Sequence, residues 1–189
     1  MSSHSHEALR RQAFIDPAAS AGDAAHARRT LTLLLAQDGS TTRLCEAVAG
    51  APVELHVLHQ AVTSELPAAV RALLPGRQFI ERITCLAAHG EVMMDNLSYI
   101  ALDGIEATLR HDLEAGTAPI GHLLARLWVR REPLPVAPPL SERLWGAVGT
   151  PDAEATRAYR IVTPDGPCMV IAETYRRGML LDVHGRDCP

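Results

Sequence analysis

The run Gln78-Phe79-Ile80-Glu81-Arg82-Ile83-Thr84-Cys85-Leu86-Ala87-Ala88, then His89-Gly90, then Glu91-Val92-Met93-Met94-Asp95-Asn96-Leu97-Ser98-Tyr99-Ile100-Ala101 decides the fold. Both arms have strand length and carry branched and aromatic residues, and between them stands a dipeptide suited to a tight reversal. This predicts a β-hairpin with strands at about 78–88 and 91–101. Alternation along the first arm places Arg82 on one face with Ile80, Thr84 and Leu86, where the pattern otherwise asks for core. A guanidinium in that position needs an anion, from the protein or from a ligand. Its neighbours Glu81 and Arg77 are expected to be solvated.

Outward from this hairpin the chain alternates helical and extended stretches. Strands at about 156–163 and 168–175 flank the turn Pro164-Asp165-Gly166-Pro167, and another strand falls at 53–62. In that last strand His56 and His59, three apart, are expected on opposite faces, which argues against a shared metal. Helical periodicity covers Asp23 to Gln37, Thr41 to Ala49 with a Ser/Thr-rich start and Gly50 at its end, and Ser64 to Leu74. Further helices are expected at 105–115 and from Pro119 to Leu127, then a strand at Trp128–Arg131. Pro133, Pro135, Pro138 and Pro139 predict an extended loop leading into a short helix near Ser141–Val148. Helices mixed with hairpin-joined strands define an α+β fold, a single domain built on a central antiparallel sheet. The expected organisation is a mobile N-terminal arm over 1–22, the domain over 23–177 and a polar tail over 178–189.

Composition excludes several kinds of chemistry. All 18 basic residues are arginine. Without lysine there is no Schiff base, no internal pyridoxal aldimine and no P-loop lysine. Arginine keeps the forked donor geometry that suits carboxylates. A formal net charge of −4 and few, scattered aromatics argue against nucleic acid as a partner. Cys45, Cys85, Cys168 and Cys188 show no zinc spacing and are expected to be reduced in the cytoplasm. No stretch approaches a membrane span or a signal peptide, so membrane insertion is not expected. No G-x-S-x-G, H-E-x-x-H or G-x-G-x-x-G motif occurs, which argues against a serine hydrolase, a zinc enzyme and a nucleotide-dependent enzyme.

Chemistry therefore concentrates on few residues. Glu173 lies in Cys168-Met169-Val170-Ile171-Ala172-Glu173-Thr174-Tyr175, a strand apolar on both faces, where it shares a face with Met169, Ile171 and Tyr175. A carboxylate there is either paired, in one reading with Arg82 itself, or raised in pKa by desolvation so that it can act as a general acid. Two helix starts, at Ser40-Thr41 and at Ile120-Gly121, offer free N–H groups to an anion.

These pieces occur in the order found in chorismate pyruvate-lyases. The stretch from Leu33 through Asp38-Gly39-Ser40-Thr41-Thr42-Arg43 to Leu44 resembles that family's early motif. Glu81-Arg82-Ile83 with Gly90-Glu91, then Thr117-Ala118-Pro119-Ile120-Gly121, and the closing strand Val170 to Tyr175 are similar to its later ones. The resemblance spans about 31–177 and implies a cofactor-independent lyase that cleaves chorismate to 4-hydroxybenzoate and pyruvate. By position it implies Arg82 as the carboxylate clamp and Glu173 as the general acid/base at the ether or phenol oxygen. It implies substrate contacts near Ser40, Thr41, Ile120 and Gly121, and a small aromatic or enolpyruvyl carboxylate as ligand. The chain departs from the pattern at Leu97, aligned with an arginine in proteobacterial members, and in the long Pro-rich stretch 132–140. Arg126, Arg130 or Arg160 could restore the charge, or another anionic substrate could be used. The same fold also occurs in effector-binding domains of bacterial regulators, which leaves a non-catalytic binding module as the alternative.

Overall fold

The computed structural model describes residues 9–103 and 105–180. Six strands form one antiparallel sheet in the order β1-β2-β3-β6-β5-β4. They are β1 (Glu54–Thr63), β2 (Phe79–Ala88), β3 (Glu91–Ala101), β4 (Arg130–Leu134), β5 (Thr156–Thr163) and β6 (Gly166–Tyr175). The β2–β3 hairpin turns through His89 and Gly90 at φ 52° and 75°, the left-handed pair that a two-residue turn between twisted strands requires. The helices are α1 (Ala21–Ala36), α2 (Thr41–Ala49), α3 (Ala68–Arg71), α4 (Ala107–Ala115), α5 (Ile120–Leu124) and α6 (Pro138–Val148).

Register defines which side chains meet. One row across the sheet runs Gln60, Arg82, Ser98, Ile171, Tyr159, and the next runs Thr84, Asn96, Glu173, Arg157. These rows lie on the face covered by α1, α2, α4 and α5. On that face the apolar side chains form two clusters. One gathers Leu31, Leu34, Cys45, Met94 and Tyr175 under α1 and α2, and the other gathers Ile80, Ile100, Leu113, Leu124 and Met169 under α4 and α5. The polar rows lie between them. The opposite face carries an apolar cluster, with Ile83, Leu97, Tyr99, Val170 and Ala172 against Val70, Leu140 and Leu144 of α3 and α6. Burial on both faces explains why the central strands read as nearly unbroken apolar runs.

Several expectations are corrected here. Residues 9–20 are not a free arm. Arg10 exchanges backbone hydrogen bonds with Gly90 and Val92, and Arg11 bonds Asp95. Phe14 is fully buried, and its N–H donates to Asp152 at 2.8 Å. One aromatic and two arginines anchor a segment that has no periodicity of its own. At the other end, Arg176 is buried on Asp95, and a 3-10 turn at Arg177–Leu180 places Met179 against Cys45. The tail from 178 is thus docked through residue 180, and Cys188 lies outside the described residues.

A β-bulge between Val57 and His59 pairs His56 with Cys85 and His59 with Ile83, so the two histidines share a face. The expected extended loop is divided between two elements: Pro133 sits in edge strand β4, and Pro138 and Pro139 open α6 at its first turn, where a missing N–H costs nothing. Glu81 is not solvated but pairs with Arg143 at 2.8 Å.

Candidate active site

Between the two apolar clusters lies a cavity lined by Thr41, Arg82, Asn96, Ile120, Tyr159 and Glu173, among others. Glu173 projects into it from β6, an interior strand, third from the β4 edge of the sheet and fourth from the β1 edge. Its Oε1 accepts from the Tyr159 hydroxyl at 2.7 Å. Its Oε2 accepts from the Thr41 hydroxyl and from Arg157 Nε, each at 3.0 Å. Arg157 Nη2 approaches the same oxygen at 2.9 Å, and the guanidinium also donates to the Leu34 and Gln37 carbonyls at the end of α1. Of the two states open to Glu173 from sequence, the paired one is realised.

Electrostatics follow from this arrangement. Burial alone pulls the Arg157 guanidinium down, but the facing Glu173 carboxylate, with Tyr175 and Tyr159, more than offsets it and the net change is upward. Burial, reinforced by the Glu173 charge, lifts the Tyr159 phenol well above its ordinary value. Tyr159 is therefore a neutral donor across the physiological range, and the carboxylate is fixed by three side chains in one orientation.

Arg82 is the contrasting group. Its side chain is completely buried, yet it pairs with no carboxylate among the described residues. Nη2 donates to the Gly116 and Ala118 carbonyls at 3.0 and 3.2 Å, while Nε and Nη1 have no partner. Burial lowers this guanidinium from its ordinary value, but arginine starts so high that it keeps its charge. The Arg82–Glu173 pair considered from sequence does not form. The chemistry of a buried cation with two vacant donors beside a cavity suits an anion.

The cover of the cavity is the segment from Gly116 into α5, tied to the sheet by Arg82 and by Gln60, whose amide donates to Leu113 and Glu114 carbonyls. Ile120 and Gly121 line the cavity at the start of α5, which has no side-chain cap. Gly121 is also where α5 approaches α2: a Cβ there would lie 2.4 Å from Thr42 Oγ1 and 2.8 Å from Ser40 Oγ. Thr41 takes part through its hydroxyl. Ser40 instead caps α2 by accepting from the Arg43 N–H, and it lines a neighbouring cavity with Arg43 and Arg131. The free volume inside the main cavity is about 30 Å³, room for a water or two rather than a ring.

Leu97 faces the opposite side of the sheet, packed in the cluster with Leu140 and Leu144, so a side chain at this position does not reach the cavity. Arg126 is exposed, and Arg130 and Arg160 both pair with Glu132 outside the site. The additional cation lining the cavity is Arg131, while Arg157 stands behind Glu173; neither is among the residues expected from sequence. Arg157 carried a usable signal, because it alternates with Tyr159 and Ile161 on an apolar face, the criterion that selected Arg82. Among the described residues no three His, Cys, Asp or Glu side chains converge as a metal site.

A buried arginine without a counter-ion and a triply held carboxylate thus share one sheet face of an α+β domain. The chain belongs to the Rv2949c-like chorismate pyruvate-lyase family, whose model matches residues 35–181. Curated proteins returned no match. Among solved structures, PhnF from Mycobacterium smegmatis is 13% identical, with 89% of each chain covered and a TM-score of 0.44. A GntR-family transcriptional regulator from Bacillus cereus is 11% identical, covering 66% of this chain and 91% of its own, with a TM-score of 0.41. The SA0254 gene product of Staphylococcus aureus is 13% identical, covering 66% and 83%, with a TM-score of 0.41. No helix among the described residues is long and apolar enough to cross a membrane.

Proposed function

We propose that the protein eliminates pyruvate from chorismate to give 4-hydroxybenzoate, without metal or organic cofactor, in the cytoplasm. The observation that carries this reading is Arg82: completely buried, unpaired, and lining the same cavity as Glu173. The ring carboxylate binds the vacant Nε and Nη1 of Arg82, with the N–H groups of Ile120 and Gly121 completing its shell. Because Nη2 already holds the Gly116 and Ala118 carbonyls, the same arginine couples the substrate to the cover.

Glu173 acts on the other side of the ring. As an ion-paired carboxylate it first accepts the proton from the ring carbon that carries the hydroxyl. The electrons of that C–H bond form the new ring double bond, the neighbouring C–O bond breaks, and its electron pair leaves on the enolpyruvyl oxygen. Glu173 returns the proton to that oxygen, and the enol becomes pyruvate. Aromatisation drives the step, so the site has mainly to orient the ligand and exclude water. Tyr159, Thr41 and Arg157 hold Glu173 in place through this cycle.

The test incubates purified protein with chorismate and follows pyruvate and 4-hydroxybenzoate separately, beside Glu173→Gln and Arg82→Ala. Equimolar products from wild type, lost in both variants, are expected. Saturable binding of aromatic acids without turnover would sink the lyase reading. That outcome supports a binding module or a different anionic substrate, and one observation favours the binder: every Glu173 oxygen already has a partner within the chain.

A further inference from the structure

Among the described residues, the arginines with a buried N–H that meets no acceptor are Arg82, Arg131 and Arg176. Two of them, Arg82 and Arg131, line the same cavity. They come from different parts of the sheet. Arg82 is on β2, whereas Arg131 is on edge strand β4, opposite Ile161 and therefore on the cavity face with Tyr159. Four inter-strand steps separate β2 from β4, roughly 19 Å of sheet. The cavity thus has cationic donors reaching in from two sides. Its sole described carboxylate, Glu173, is already neutralised by Arg157.

We infer that Arg131 is a second anion contact, which makes the site select a ligand bearing two separated carboxylates over one bearing a single carboxylate. Arg131 is bonded in this structure only to a neutral acceptor, the Asp38 carbonyl at 3.2 Å. A carboxylate displaces such a contact because the charge-assisted bond is stronger. The identity of the ligand rests on the lyase reading above. In that reading the ring carboxylate sits on Arg82 and the enolpyruvyl carboxylate on Arg131. Elimination then divides the two charges between two molecules. The aromatic product retains only the Arg82 contact, while pyruvate remains with Arg131, which also lines the adjoining cavity of about 260 Å³ with Ser40 and Arg43. Arg131 therefore separates substrate from product by charge count.

Calorimetric titration with 4-hydroxybenzoate and with 3-(carboxymethoxy)benzoate, a stable diacid, tests this in wild type, Arg131→Met, Arg131→Gln and Arg82→Met. Wild type is expected to prefer the diacid. Both Arg131 variants should lose about tenfold or more in diacid affinity while binding 4-hydroxybenzoate within about twofold of wild type. Arg82→Met should weaken both ligands. Arg131→Gln retains a donor for the Asp38 carbonyl, so it reports on the charge even where Arg131→Met disturbs β4. A wild type without preference for the diacid overturns the inference, as does an Arg131 variant that weakens both ligands equally or neither. Pyruvate release from chorismate is followed in parallel: its absence refutes the lyase reading, whereas the titrations still decide the role of Arg131.

Discussion

The two faces of the sheet each bury a carboxylate against arginine, to different ends. On one face Asp95 receives Arg176 Nε at 2.6 Å and Arg11 Nε at 3.1 Å, with Arg176 Nη2 on the Thr150 carbonyl. This centre joins the first described residues and the last to the middle of β3. On the other face Glu173 receives Arg157, Tyr159 and Thr41, and one strand row away Arg82 stands without any carboxylate. Two closed centres and one open arginine teach that a buried ion pair by itself does not mark a site. A buried charge left without a counter-ion differs, since a ligand anion can offset the desolvation that folding bears.

This contrast yields an ordered set of stability effects. Asp95→Ala leaves Arg176 buried without its anion and should cost about 3–5 kcal/mol in urea unfolding. Replacing both partners, Asp95→Leu with Arg176→Met, should recover most of that loss, and a double variant no more stable than Asp95→Ala would show that the anchors matter through more than charge. Arg157→Leu should cost about 3 kcal/mol, because Glu173 is then buried without a cation although Tyr159 and Thr41 remain.

Gly121→Ala is smaller, about 1–3 kcal/mol, since the added carbon meets Thr42 and Ser40 and forces α5 away from α2. Thermal unfolding beside ligand titration should show stability and affinity falling together. At the low end, Arg82→Met should change stability by no more than about 1 kcal/mol, as it removes an uncompensated charge along with two carbonyl contacts. A loss as large as that of Arg157→Leu would mean that Arg82 is structural.

Alkaline titration compares the two faces more gently. Burial pushes the Cys85 thiol, beside Asp95, up to about 11. It pushes the Tyr175 phenol, beside Glu173, up to about 12. Both folded values lie above the unfolded ones of 9.0 and 10.0, so this stabilisation is complete below pH 9 and is lost as pH rises toward 11 or 12. The urea midpoint should hold from pH 7 to 8.5 and fall by pH 10.5. A midpoint unchanged at pH 10.5 would contradict the burial of both groups.

The architecture was readable from residues 78–101 because alternation, strand length and a turn dipeptide all act locally. Thr41–Ala49 was readable for the same reason, bounded by its Ser40 cap and by Gly50. What misled was non-local. The bulge in β1 turned His59 to the side of His56, and nothing in the strand's own sequence announces it. Pro138 and Pro139 break structure in isolation, yet at the first turn of α6 they begin it. At the candidate site, the burial of Arg82 and Glu173 is legible because each interrupts an apolar face, and Arg157 and Asp95 interrupt apolar faces in the same way. Arg131 had no such signal: it lies in a short edge strand, and its place at the cavity comes from the pairing of β4 with β5.

The strand order has a consequence for how the molecule comes into being. β6 is the last strand of the described chain to be made, yet it lies in the interior of the sheet between β3 and β5. Until it emerges from the ribosome, β3 presents a long apolar edge with unpaired backbone groups, the kind of template on which nascent chains stick to one another. Thr41 must then wait 132 residues for Glu173, and Gln37 must wait 120 for Arg157. Sheet completion and site assembly are therefore a single late event, so a polypeptide stopped short of Gly166 has neither the finished sheet nor any trace of the cavity's acid.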